Sequence, residues 1–522
     1  MVGNVFAFIR SKSHQSSVCL VSRTWRDQIR PIMWEKIRMN FRDASASSLA
    51  TLLHPRSGIT GHIRELDICE SARTTDGENR VVLVITAIPR DRLRRFESNC
   101  EVSALTFQVL LQSQRKIEEL DIWGSFSTPG LLNLVDLDSE EHHTWMGPLL
   151  SEVSTITLYI NRHEAPGDRI FNGMKSVSQY CPKIRDLSLN AASTDNPDDV
   201  SVCAILAHAK DQPIFPNLTF LRLYDLKFAS TAEQPIHESL NLSNLKGLQI
   251  EWCFDQIPLL EGISSFYTRN TGQLEELIVI LPIHMKEPKR TVQAIDALLK
   301  TCPKLTHLQL DLSVHGLVAR DSVLVHCKTL TELIMQSGMT EGGNYFPIAD
   351  ITAILKACTK LTTLAIDMPS LELGSISDPE DGFSPDEEYA HVLAAVATQP
   401  MLEAFRIFNL PVLEFDDPSS VRPTGRDTLF CQVVMQNLAN QILRFATDRG
   451  SKLKVLSIKP SLEPADLPVG NAGRDTNGHK WPEYHYIRGR VSDITSADVV
   501  VAHPSKSVIL DFPDLEPLLH YI

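Results

Sequence analysis

The chain is expected to fold as an α/β solenoid, with parallel strands along a concave face and helices outside. Three observations predict this class. A short apolar template recurs thirteen times, most recurrences lie 24 to 36 residues apart, and helix-patterned segments fill the intervals. At 522 residues the chain also far exceeds a single compact core, which stops growing near ~250–300 residues. It is therefore either several domains or one array.

The template is apolar-x-x-apolar-x-apolar. It begins at Ile63, Leu93 (a weak copy, "LRRFES"), Ile117, Val153, Ile184, Leu218, Leu245, Leu274, Leu305, Leu330, Leu361, Leu402 and Leu453. Its tail alternates with period two, so one set of side chains points inward and the other outward, as in a strand. Between copies lie segments such as 171–181, 291–302 and 350–358, whose apolar residues recur at three and four and predict one buried helical stripe. A strand-plus-helix unit cannot bury both its faces alone, whereas stacked neighbours can.

Cys181, Cys302, Cys327 and Cys358 each stand three positions before a copy of the template, and Phe215 and Leu242 hold the same slot elsewhere. A position shared by Cys, Phe and Leu predicts a buried, water-free side chain, because free Cys behaves as a small hydrophobe. These cysteines fall in different coils and are not expected to gather as metal ligands.

On these motifs residues 60–460 resemble the leucine-rich repeat family. The Asn or Cys usual three places after the last strand apolar is matched clearly only by Cys253, which implies a distorted stack without an Asn ladder. Inserts are expected near 124–150, 369–395 and 409–450, the second containing the acidic "SDPEDGFSPDEEY", read as an exposed loop. It lacks the ligand spacing of a calcium loop.

Residues 1–42 leave the repeat. Val21, Trp25 and Ile29 are four apart and would share a helical face, which Pro31 would interrupt. Read plainly, the segment is a cap on the first coil. "CLVSRTWRDQIRPIMW" also resembles the second half of an F-box, and "VFAFIRSKSHQSS" is similar to the end of that module's first helix; the usual Leu-Pro-x-Glu opening does not precede them. The resemblance implies that Val5, Phe6, Phe8, Ile9, Val18, Leu20, Val21, Trp25 and Trp34 build a helical core and a face for the Skp-type adaptor of cullin-RING ubiquitin ligases.

An F-box ahead of leucine-rich repeats resembles a substrate receptor: the repeats (43–460) would capture a target protein and the F-box would couple it to a ligase. Thirteen strands about 4.8 Å apart would span roughly 60 Å, ample for an interface of ~800 Å² per partner. The outward strand positions include Glu65, Asp67, Glu119, Asp121, Trp123, Asp186, Asn190, Phe220, Arg222, Tyr224, Gln249, Glu251, His307, Gln309 and Asp311. Acids cluster at the front and aromatics enter with Arg222 at the middle, so Glu119, Asp121, Trp123, Phe220, Arg222, Tyr224 and Glu251 are the expected target contacts. A polar strand face facing only water is the plainer reading. The tail, 461–522, is expected to cap the last coil.

Other classes are disfavoured. A net charge of −14 argues against a nucleic-acid partner; the basic run "RDRLRR" at 90–95 reads as solvated surface. No apolar run reaches the ~18 residues of a membrane span, and the amino terminus lacks a secretory cleavage site. Ten cysteines include no Cys-x-x-Cys pair, so an intracellular, cytoplasmic or nuclear location is expected. No phosphate-cradling Gly loop, nucleophile elbow or His-Glu-x-x-His is present, and His142-His143 has no neighbouring Cys. No catalysis, cofactor or metal is expected. The rival to a ligase receptor is an interaction scaffold with no ubiquitin role.

Overall fold

The computed structural model describes residues 12–40, 46–70, 75–99, 102–122, 150–160, 177–191, 215–228, 240–282, 285–302, 304–312, 315–336, 346–369, 371, 386–408, 425–458, 484–492, 498–505, 508, 512 and 515. They divide into two compact units, Met1–Gln273 and Leu274–Ile522. Both are mixed α/β with mostly parallel strands that pair in chain order.

The first unit opens with helices α1 (Lys12–Val21) and α2 (Arg23–Met33). One continuous helical face through Val21, Trp25 and Ile29 does not form. Ser22 separates the two helices: its backbone is extended and its hydroxyl accepts the Trp25 N–H at 3.1 Å, the usual way a serine caps orphan amides. Val21 and Trp25 are left exposed, and only Ile29 is buried. Pro31 does not interrupt α2, which ends two residues later. It removes one amide, and the ladder resumes when Trp34 N–H donates to the Arg30 carbonyl at 3.0 Å.

Strand β1 (Lys36–Asn40) follows, then β2 (Glu65–Glu70), β3 (Arg95–Ser98), β4 (Glu119–Ile122), β5 (Thr155–Ile160), β6 (Asp186–Ala191), β7 (Phe220–Tyr224) and β8 (Gly247–Glu251). Each pairs parallel with its predecessor. The described crossover helices are α3 (Ala46–Leu53), α4 (Thr75–Ala87) and α5 (Ala104–Ser113), and α6 (Ile257–Arg269) follows β8. The register is pinned just before each strand by one carbonyl that accepts two successive amides. The Arg64 carbonyl takes Arg94 N–H at 2.7 Å and Arg95 N–H at 3.1 Å, and those of Arg94, Glu118, Ser154, Arg185 and Thr219 repeat the arrangement. In this register Phe96, Leu120, Ile156, Leu187, Leu221 and Leu248 form one buried row. The weak copy at Leu93 builds β3 as regularly as the rest.

The second unit holds β9 (Glu276–Ile280), α7 (Pro288–Thr301), β10 (His307–Asp311), α8 (Arg320–Leu324), β11 (Glu332–Gln336), α9 (Ile348–Ala357), β12 (Thr363–Ile366), α10 (Glu387–Ala397), β13 (Ala404–Ile407), α11 (Gly425–Asp448) and β14 (Val455–Ile458). The last two stretches read as inserts are corrected in part, since each supplies a crossover helix. The end of the acidic run is the first turn of α10, where Glu387 and Glu388 favour the helix N-terminus and Tyr389 is buried. Two tail strands, β15 (Tyr484–Ser492) and β16 (Asp498–Pro504), pair antiparallel. Along the outer edge of β16, helix α11 satisfies the backbone: Gln436 Nε2 donates to Ala502 O (2.7 Å), Ala502 N–H to Asn440 Oδ1 (2.8 Å), and Arg444 Nε to Val500 O (3.0 Å).

The slot before each strand is buried at Cys181, Phe215, Leu242, Cys302 and Cys358, and half-buried at Cys327. It is not always apolar. Gln114 also occupies it, fully buried, donating to the Ile88 and Pro89 carbonyls (both 3.3 Å) and accepting Arg92 and Leu93 amides (both 3.0 Å). Gln399 is buried in the same slot and donates to Leu355 O at 2.8 Å.

Candidate functional site

Opposite the buried rows, the strands of the first unit present mostly polar, mostly half-buried residues in register. One row runs Lys36, Glu65, Arg95, Glu119, Thr155, Asp186, Phe220 and Gly247, and the next Arg38, Asp67, Glu97, Asp121, Thr157, Ser188, Arg222 and Gln249. A third, shorter row is Tyr159, Asn190, Tyr224 and Glu251. The expected cluster of front acids is corrected by its neighbours. Lys36 lies 4.0 Å from Glu65, Arg38 3.3 Å from Asp67, and Arg95 3.0 Å from Glu97 and 3.4 Å from Glu119. Pattern reading missed these cations because β1 lies outside the template and Arg95 sits in its weakest copy.

From β4 to β8 the composition changes. The Arg222 guanidinium meets Asp186 at 2.6 Å. Phe220 lays its ring over Gly247 on the neighbouring strand, in space a Cβ would fill. Tyr224 packs against Trp252, centroids 5.0 Å apart and planes tilted by 57°. Trp252 follows β8 with a left-handed backbone, φ 51°, which sequence reasoning did not anticipate. Gln249 donates to Glu251. Asp121 accepts from Thr157 and Tyr159.

Burial dominates the electrostatics. It lifts the Asp121 carboxyl above the usual range, reinforced by Glu97 and opposed by the Thr157 and Tyr159 hydrogen bonds and Arg95. It lifts Glu251 likewise, against Gln249 and Arg222. The Tyr224 phenol is pushed up to about 12 by burial, then by Glu251 and Asp225, and burial and Asp121 raise Tyr159.

The structure thus brings Asp121, Phe220, Arg222, Tyr224 and Glu251 onto one face, with Glu119 at its margin in an ion pair. Trp123, Val5, Phe6, Phe8 and Ile9 lie outside the described residues. At the other end of this unit, Leu20, Val21 and Trp25 are exposed and Val18 and Trp34 half-buried, so they do not form a tight core with Ile29 among the described residues.

In the second unit the same strand side is less open. His307 is exposed, with Nε2 3.8 Å from Glu332, but Asp311 is buried and β12, β13 and β14 are buried on both faces. Open polar strand face is therefore concentrated in the first unit among the described residues.

Among the described residues, no three His, Cys, Asp or Glu side chains gather to hold a metal, and no helix is long and apolar enough to cross a membrane. No protein-family model matches the chain, and no curated protein matches it.

Proposed function

We propose that this chain is a leucine-rich-repeat receptor subunit of a cullin-RING (SCF-type) ubiquitin ligase. The β4–β8 face of the first unit captures a target protein, and the helical segment before β1 docks a Skp-type adaptor through its F-box-like residues. Chain-ordered parallel strands with crossover helices support the repeat reading. The observation that carries the adaptor reading is the exposure of Leu20 at 88%, Val21 at 61% and Trp25 at 41%, all on two short helices directly ahead of β1. Large apolar side chains left in water on neighbouring short helices are what a docking surface would use.

The test is capture of a purified Skp-type adaptor by the full chain. Retention of the adaptor, lost on Leu20→Asp with Trp25→Ala while the thermal melt is unchanged, supports the receptor. Absence of capture by the unaltered chain overturns the ligase role and leaves an interaction scaffold.

A further inference from the structure

We infer that the β4–β8 face takes an extended segment of a partner protein carrying two basic side chains about six residues apart, one seated at Asp121 and Tyr159, the other at Glu251, Tyr224 and Trp252. The inference rests on the reading of this face as the target site.

The charges on the face are unequally matched. Glu119 is paired with Arg95 at 3.4 Å and Asp186 with Arg222 at 2.6 Å. Asp121 and Glu251 have no ion-pair partner among the described residues; their contacts are hydrogen bonds from the neutral Thr157, Tyr159 and Gln249. Burial holds both carboxyls above the ordinary range, offset only in part by the charges of Arg95 near Asp121 and Arg222 near Glu251.

Each of these acids also adjoins an aromatic ring. Tyr159 bonds Asp121, and Tyr224 stands opposite Glu251 in register with Trp252 at 5.0 Å. Aromatic faces attract Arg and Lys cations, and more so once desolvated. An acidic partner would add like charge to both acids, and an apolar one would bury them further without compensation. A cation satisfies carboxylate and ring together.

The spacing follows from strand geometry. Asp121 is on β4 and Glu251 on β8, four strand steps apart and one pleat along, hence about 20 Å. An extended chain covers about 3.3–3.6 Å per residue, so about six residues join the two cations.

The probe is fluorescein-labelled Gly-Arg-Gly-Ser-Gly-Ser-Gly-Arg-Gly, followed by fluorescence anisotropy against the full chain. Its comparators are the same peptide with Glu for Arg and one with the arginines two apart. The six-apart Arg peptide is expected to bind about ten-fold more tightly than either. Asp121→Asn with Glu251→Gln removes that preference, whereas Glu152→Gln with Glu261→Gln, off this face, leaves it intact. Equal binding of all three peptides, or equal weakening by both variant pairs, overturns the inference.

Should the face variant fail to fold, the pH profile of the unaltered chain decides. Arginine keeps its charge, while Asp121 (facing Glu97, Arg95, Thr157 and Tyr159) and Glu251 (facing Gln249, Arg222 and Tyr224) must ionise. Affinity should therefore rise as pH climbs from the ordinary carboxylate range toward neutrality; a flat profile overturns the inference. Adaptor capture without peptide preference would sink this inference alone. Peptide preference without adaptor capture would sink only the ligase reading.

Discussion

Asp186 on β6 and Arg222 on β7 meet at 2.6 Å across one strand step. Arg222 is 41% exposed at its side chain, so water and salt screen the pair. A double-mutant cycle of Asp186→Asn and Arg222→Gln should return a coupling of about 0.2–1 kcal/mol, shrinking at high salt. Urea denaturation at two ionic strengths measures it. A coupling well above that range would mean that the pair is drier than its exposure indicates.

His326 is a buried strut between coils. Its Nδ1 accepts the Leu305 N–H at 3.1 Å and its Nε2–H donates to the Leu299 carbonyl at 2.9 Å, which requires the neutral ring. Burial lowers its pKa. The unfolded chain takes up the proton near the ordinary ~6.5, whereas the folded chain does so only at lower pH. The contribution of His326 is therefore full above that value and is lost as pH falls below it. His326→Ala should cost about 2–5 kcal/mol, and His326→Gln less. Thermal melts across pH, compared with the Gln variant, would show the acid-side loss disappear.

Ser22→Ala removes the hydroxyl that caps α2. About 1 kcal/mol of local helix stability should go with it. Amide exchange across 23–33 is the direct readout, with Ser22→Asp expected to restore protection.

Cys181, Cys253, Cys302 and Cys358 are buried, with thiols pushed up to about 12 by burial. Cys19, Cys69 and Cys327 are half-buried. Brief iodoacetamide treatment at pH 8 should label the second group first, and denaturant should bring the first group to the same extent. Rapid native labelling at Cys302 would show that its coil opens readily.

How far the sequence could be read depended on whether a residue's role is periodic. The strands from Ile63 to Leu453 were legible because each buries side chains at the same steps. The slot of Cys302 was legible as buried but not as polar, since Gln114 and Gln399 enter it through hydrogen bonds that hydropathy does not register. Ser22 was hidden because four-residue spacing runs across a cap unnoticed. Arg222, Tyr224 and Glu251 could be assigned to one face by alternation. Trp252 could not, because its left-handed backbone breaks the period that would have placed it. The pairing of Arg38 and Arg95 with acids depends on which strands are neighbours, and period alone does not give charge partners.

The three side chains along α11 have a further consequence. A parallel array extends by adding one more ribbon, and a bare final ribbon invites one from any passing chain. Here Gln436, Asn440 and Arg444 occupy the amide and carbonyls of Ala502 and Val500 that such an intruder would need. Stripping them by Gln436→Ala, Asn440→Ala and Arg444→Ala would leave those groups of the last described strand open to pairing with another chain, which light scattering should register as association.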